Sequence, residues 1–260
     1  MDTTDPEIQF DENGVCNHCR KYDQRVKEQL FLGELGQQKL NRIVDEIKSK
    51  GRNKKYDCII GVSGGVDSTF AAYMVKKLGL RPLAIHLDNG WNSEVAVSNM
   101  GKALKALDID SYTYVVDRGQ FKDLQLSFLR ASVPDAEIPT DHAIAALHRQ
   151  VAAKQGLQFI ITGSNVATEG SGPIRWAYGH RDWKYIKSVH KRFGEVKLKG
   201  FPHDTFLGLL YYLFVKRIRT IFILNYMTYI KKDAMEIIEK ELGWEYYGGK
   251  HYESVYTRFL

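Results

Sequence analysis

One stretch limits the fold more than any other. Residues 59–75 read "IIGVSGGVDSTFAAYMV". An apolar run enters two adjacent glycines and leaves with helical spacing. Ala71, Met74, Val75 and Leu78 fall on one face before Gly79 ends the pattern. A buried strand turning through glycine into a helix is half of a βαβ unit. The alternation then repeats. "PLAIHL" (82–87), "YTYVV" (112–116) and "QFIIT" (158–162) read as strands. Ala96, Met100, Ala103, Leu104 and Leu107 mark a helix after the second strand, and two more helical stretches span 120–131 and 141–154. The expected fold is α/β, a doubly wound parallel sheet covered on both faces.

Such sheets bind ligands beyond the carboxyl ends of their strands, at the point where strand order reverses. Those ends carry "SGGVDS", "DNGWN" and "TGSNVATEG". In the first, Ser63, Gly64, Gly65, Val66, Asp67 and Ser68 form S-G-G-x-D-S between strand and helix. Glycines let backbone approach phosphate, and a helix N-terminus offers unpaired N–H groups and a positive dipole end. Ser63 and Ser68 add hydroxyl donors. Asp67 beside phosphate repels it unless a cation intervenes, and Mg²⁺ bridging carboxylate and phosphate supplies the reason. A Walker A loop places a lysine here, and none occurs between Gly61 and Phe70. Asp88, Asn89 and Gly90 are candidates for ribose or base contacts with Trp91 as a wall, and equally for a plain Asp-Asn-Gly turn. Thr162, Gly163, Ser164 and Asn165 are candidate lining residues at the reversal point. Glu169 reads as a solvent-facing loop acid, with a second Mg²⁺ ligand as the alternative.

Three segments are expected: 1–50 with Cys16, Cys19 and a charged helix over 25–50, 51–200 as the nucleotide domain, and 201–260 as a helical C-terminal part. The three cysteines do not make a disulfide framework. Cys58 lies in an apolar strand. The Cys16–Cys19 pair reads as half a zinc knuckle, because zinc needs four ligands. The opening "MDTTDPEIQF" is acidic and polar, so no signal peptide is read and a cytoplasmic protein is expected. "FLGLLYYLFV" (206–215) is too short to span a bilayer. A helix docked on the main domain is expected there. The sharper alternative is an interfacial helix, with Lys216, Arg217 and Arg219 at lipid headgroups and the protein working near a membrane. The net charge of +6 suits an anionic partner or a solvated basic surface equally well. Arg175, Trp176, Arg181 and Lys184 are candidates to clamp a diphosphate or sugar acid, or simply a solvated face.

The glycine loop resembles the PP-loop of ATP pyrophosphatases, which implies an adenine nucleotide alpha hydrolase-like sheet. In those families the loop grips the pyrophosphate that leaves, while AMP passes to a substrate oxygen. The resemblance narrows at both ends. "FDENGVCNHCR" (10–20), the PP-loop, "HLDNGWN" and "ELGWEYYGGKHYESVYTRF" (241–259) together resemble the N-acetyl sugar amidotransferase family of surface-polysaccharide, including O-antigen, biosynthesis. This implies ATP and Mg²⁺ as cofactors, an N-acetylated sugar nucleotide or sugar acid as substrate, and ammonia displacing AMP to leave an acetamidino sugar. Lys250, His251, Glu253 and Ser254 are then candidates for sugar contacts, with His251 handling the ammonium proton, or for a C-terminal loop held by its own bonds. The resemblance implies a partner pair of glutaminase and cyclase supplying ammonia, since no glutaminase is read here. It also implies that the pattern is cut at both ends and that a zinc site is incomplete. No nucleic-acid partner is expected on this reading. The alternatives are a tRNA-modifying PP-loop enzyme, of thiolation or lysidine type, and a non-catalytic nucleotide-binding remnant.

Overall fold

The structure is a computed structural model that describes residues 3, 5–169, 179–249 and 251–260. Five strands build one sheet: β1 (Cys58–Gly61), β2 (Pro82–Asp88), β3 (Ser111–Val115), β4 (Phe159–Thr162) and β5 (Arg219–Phe222). All are parallel, in the order β3-β2-β1-β4-β5. The chain therefore starts in the middle, moves outward to β3, and returns to the other side of β1 at β4. The reversal point lies between β1 and β4, beside the glycine loop.

Around the sheet lie α1 (Asn17–Gln29), α2 (Gly33–Gly51), α3 (Val66–Lys77), α4 (Glu94–Ala106), α5 (Arg118–Arg130) and α6 (Ile138–Lys154). The one-turn α7 (Val166–Glu169), α8 (Trp183–Phe193), α9 (Phe206–Leu210), α10 (Lys231–Leu242) and α11 (Val255–Phe259) follow. Alternation along the strands splits the interior into two cores. Cys58, Ile60, Ala84, Phe159 and Ile161 face one side, with residues of α2, α3, α4 and α10. Ile59, Leu83, Ile85 and Ile160 face the other, with residues of α5, α6 and α8. The two-residue side-chain period makes this division unavoidable once both faces are covered.

Several expectations change. The helix read over 25–50 is two helices, because the chain breaks at Leu30–Leu32. The part over 201–260, read as helical, contains β5. The end of the part read as 51–200 contains α8, whose Ile186 is fully buried. The segments divided at 50 and 200 share one core: Leu40, Val44 and Ile47 of α2 meet Ala234 and Ile238 of α10 in the first cluster. The helix expected to dock at 206–215 does so along one side only: Tyr212 packs on the second core and Leu209 and Leu210 are half-buried, while Phe206, Leu207, Phe214 and Val215 are exposed. α9 and the π-helical turn after it (Tyr211–Val215) have no buried residue. Among the described residues no helix is long and apolar enough to cross a membrane.

Candidate active site

β1 delivers the chain to the loop at Ser63. Gly64 follows with φ +81°, a left-handed conformation, and a Cβ there would fall 2.1 Å from the carbonyl oxygen of Ala96. Only glycine fits. The indole N–H of Trp244 donates to the Gly64 carbonyl at 2.9 Å, fixing the loop from the far side. Gly65 caps α3 in an extended conformation with no side-chain cap bond. Thr69 is bonded back to Gly65, at 3.0 Å. The N–H groups of Val66, Asp67 and Ser68 precede it in the first turn, outside the helix's own ladder. Ser63 Oγ and Ser68 Oγ lie 3.0 Å apart, and the Ser63 N–H donates to Ser68 Oγ at 3.2 Å. Amides and hydroxyls thus converge at a helix start, an arrangement suited to anions.

The other two strand ends meet this loop differently. Gly163 packs its backbone against the first turn of α3, where a Cβ would lie 2.6 Å from the carbonyl carbon of Asp67. Thr162 Oγ1 accepts from the Ser164 N–H at 3.2 Å. Asn165 is buried and caps α7, its Oδ1 accepting from the Thr168 N–H at 3.0 Å. Asp88 Oδ1 accepts from the Gly90 N–H at 2.8 Å and Asn89 Oδ1 from the Trp91 N–H at 3.1 Å. These bonds use Asp88, Asn89 and Asn165 to build their own turns, the structural alternative for the first two. Trp91 stacks on Tyr256 with centroids 5.8 Å apart and donates to Gln125 at 2.7 Å.

Two tyrosines enter the loop that sequence reasoning missed. The Tyr229 hydroxyl donates to Asp67 Oδ1. Burial, then the Asp67 carboxylate, pushes the Tyr229 pKa far up, so the phenol keeps its proton. The Tyr247 oxygen takes a hydrogen bond from the Val66 N–H, and burial together with the Glu253 charge raises its pKa. Their only sequence signal is aromatic richness in "NYMTYI" and "WEYY".

The C-terminal segment is laid across the end of β2. Asn92 and Ser254 form an antiparallel bridge, the Ser93 N–H donates to the Glu253 carbonyl at 2.9 Å, and the Val255 N–H donates to the Trp91 carbonyl at 2.8 Å. Ser254 Oγ caps α11, accepting from the Thr257 N–H at 3.3 Å. His251 sits at φ 65° with Nδ1 3.7 Å from Glu253 Oε1. Between this segment and α4 lies a cavity of about 410 Å³, lined by Ser93, Val95, Tyr247, Tyr252, Arg258 and Phe259. Arg175, Trp176 and Lys250 lie outside the described residues. Arg181 and Lys184 flank the start of α8.

The donor sets differ in what they suit. Asp67 offers a hard carboxylate oxygen beside an anion cradle, which fits Mg²⁺ completed by phosphate oxygens. Cys16 and Cys19 hold their sulfurs 3.5 Å apart. A bond from the Cys19 N–H lowers the Cys16 pKa, while the Cys16 sulfur raises that of Cys19. His18 is turned onto Asp5 at 2.6 Å, not toward the thiols. Among the described residues no cluster of three or more His, Cys, Asp or Glu suits a metal. Among the described residues the pair thus supplies two of the four donors that a closed tetrahedral zinc site needs.

A family model described as Thiamine biosynthesis protein (ThiI) matches residues 54–174. The chain is 43% identical over 72 residues to a glutamine-hydrolysing GMP synthase of Pyrobaculum aerophilum, covering 27% of this chain and 14% of that one. It is 24% identical over 187 residues to a tRNA-5-methyluridine(54) 2-sulfurtransferase of Thermotoga maritima, covering 66% and 59%. It thus spans less than two thirds of either relative. Among solved structures, an NH3-dependent NAD synthetase of Campylobacter jejuni aligns over 78% of this chain and 83% of that chain, at 17% identity and a TM-score of 0.40. The family match and the sequence relatives support the PP-loop ATP pyrophosphatase superfamily.

Proposed function

We propose that this chain uses ATP to adenylate a carbonyl-type oxygen, releasing pyrophosphate, and that a nucleophile then displaces AMP. The observation that carries this reading is the loop itself. The Asp67 and Ser68 amides in the first turn of α3 and two serine hydroxyls form an anion cradle beside the Asp67 carboxylate, without the lysine that accompanies β,γ cleavage; the Val66 N–H is taken by Tyr247. In the reaction the substrate oxygen attacks the α-phosphorus and the bond to the β-phosphate oxygen breaks. The pyrophosphate would stay on the cradle, and Asp67 would hold a Mg²⁺ ion that offsets its charge. For an N-acetyl sugar, the adenylated imidate carbon is attacked by ammonia, AMP leaves with the former amide oxygen, and an acetamidino group results. We read "GGKHYES" as the sugar-binding segment; its residues Glu253 and Ser254 lie against the end of β2, the Glu253 carbonyl accepting from the Ser93 N–H and Ser254 bridging Asn92. The cavity beside this segment, lined by Tyr247, Tyr252, Arg258 and Phe259 but not by His251, Glu253 or Ser254, is of a size for a sugar ring.

The sequence relatives favour a second reading more than this one: sulfur transfer to tRNA, after the same adenylation. One experiment separates them. Incubate the chain with ATP and Mg²⁺, adding either N-acetylated sugar nucleotides with ammonia or tRNA with sulfide, and resolve the nucleotides. AMP formed only with sugar and ammonia supports the first reading, and AMP formed only with tRNA supports the second. ADP as main product refutes both. Glutamine in place of ammonia is expected to fail without the partner pair.

A further inference from the structure

The helix at 206–215 ends the chain's approach to β5, rests on the domain through Tyr212, and leaves several large apolar side chains in solvent. Phe206, Leu207, Phe214 and Val215 are 71%, 75%, 73% and 67% exposed. A surface helix normally buries an apolar stripe against its own domain; here Tyr212 packs on the second core and Leu209 and Leu210 are half-buried, which leaves four large apolar side chains outside that stripe. Exposed apolar side chains gathered on one short segment mark an interaction site.

Its position adds a second observation. In a parallel sheet every connecting helix returns the chain to the same edge, where the strands begin. Here each of these helices ends in cations: Lys50 before β1, Lys77 before β2, Lys105 before β3 and Lys154 before β4. Lys216 and Arg217 follow the apolar helix before β5, and all six are exposed. Cations at helix ends complement the helix dipole, which accounts for one per helix but not for the apolar helix among them. Glu46, Asp57 and Asp110 at this edge are paired with Arg219, Arg81 and Lys55. The Gln158 side chain, at the start of β4, bonds the Lys216 carbonyl at 3.4 Å and fixes the apolar helix to the basic edge.

We propose that the strand-start edge of the sheet docks on an anionic membrane surface, with Phe206, Leu207, Phe214 and Val215 entering the interface and the basic residues meeting lipid phosphates. An apolar helix with cations beside it is the physical signature of interfacial binding. The helix carries no acid and leads into Lys216 and Arg217, so charge complementarity favours an anionic surface over a second copy of the same basic face. Nucleic acid needs the cations but gives exposed leucine and valine no partner. The glycine loop lies at the opposite edge, so docking leaves it facing solution. The inference is independent of which reaction the loop performs.

The test is flotation of the full chain with vesicles of phosphatidylcholine alone, or of phosphatidylcholine and phosphatidylglycerol in equal amounts, at low and high salt. Binding is expected to the anionic vesicles only, and to weaken with salt. Lys216→Gln with Arg217→Asn should weaken it about 25-fold, at about fivefold per cation. Asn is chosen because Arg217 sits at φ 54° and Asn tolerates that region. Phe206→Ser with Phe214→Ser should abolish binding without lowering the melting temperature, since neither ring is buried. A parent chain that ignores anionic vesicles would overturn the proposal. So would serine variants that float like the parent, or serine variants that merely turn a dimer into a monomer. A parent that binds tRNA through Lys216 and Arg217 but ignores vesicles would also overturn it.

Discussion

Replacing Gly163 by alanine adds one methyl group where β4 meets the glycine loop. The new Cβ would fall 2.6 Å from both the carbonyl carbon and oxygen of Asp67, and 2.7 Å from the Ser68 nitrogen. Carbon contacts are comfortable from about 3.5 Å, so the first turn of α3 must move roughly 0.9 Å from β4. The atoms struck are backbone and have no rotamer to escape into. Gly163 is not among the positive-φ glycines, so alanine brings no conformational strain of its own. Two effects are expected. Overpacking of this kind costs about 1–3 kcal/mol of folding stability. The same displacement moves the phosphate-facing amides by nearly an ångström, an error of the size that costs about 10²-fold in rate. Urea unfolding reads the first effect, and AMP release at saturating ATP reads the second. Gly101→Ala serves as the control: nothing lies within 4 Å of its Cβ in the interior of α4, so it should stabilise by about 1 kcal/mol. A Gly163→Ala protein with parental stability and turnover would show that the loop is not braced by β4 in this way.

Other outcomes follow from the same geometry. Asp67→Asn keeps the side-chain size and the Tyr229 contact but loses the charge, so AMP release should fall by at least about 10²-fold with the fold intact; near-parental turnover in a folded variant would remove Asp67 as the Mg²⁺ ligand. Tyr229→Phe takes the phenol from Asp67, which should lower stability by about 1.5–3 kcal/mol and lower the Mg²⁺ needed for half-maximal turnover; a higher Mg²⁺ requirement would show that the phenol helps rather than competes. His148 lies against Gly61, and burial holds its pKa down at about 4. The unfolded chain therefore binds more protons between about pH 6.5 and 4, and stability should fall as pH drops through that window, by about 1–2 kcal/mol after solvent screening. His148→Gln should flatten the loss of melting temperature between pH 7 and 5, and an unchanged slope would refute the assignment.

How far the sequence was legible depended on whether a signal was local. Strands β1, β2 and β4 are apolar runs beside glycine or polar turns, and the loop after β1 combines two glycines, two serines and an aspartate within a few residues. Those features report on backbone the residues themselves must form. β5 is a four-residue edge strand with an exposed, exposed, half-buried, exposed pattern, so no buried run announces it. α8 was hidden by its basic composition, although Ile186 and Val189 stand three apart and both pack on the second core. The divisions read at 50 and 200 followed shifts in composition, whereas α2 and α10 meet only in three dimensions. Asp88 and Asn89 carry both of their readings at once. Polar residues at a strand end look like ligand contacts, and here their carboxylate and amide oxygens hold the turn together.

The least legible contacts bear most directly on the missing lysine. Tyr229 and Tyr247 reach Asp67 and Val66 from the far end of the chain, and no spacing rule links them. Both phenols are driven toward their neutral form by burial and by a nearby carboxylate. A neutral hydroxyl orients an anion or a carboxylate, but it cannot cancel charge. The first turn of α3 supplies only partial positive charge, and the serines supply none. Residues 63–68 carry no cation of their own to balance a pyrophosphate leaving group. Mg²⁺ arriving with the nucleotide would supply that balance, and Asp67 is the loop's acid placed to receive it. On this argument the hydroxyls set geometry, the metal sets charge, and nucleotide binding should depend more steeply on Mg²⁺ here than on a loop carrying its own lysine. Titrating ATP affinity against Mg²⁺ in the parent chain tests that directly, and full-strength binding of metal-free ATP would refute it.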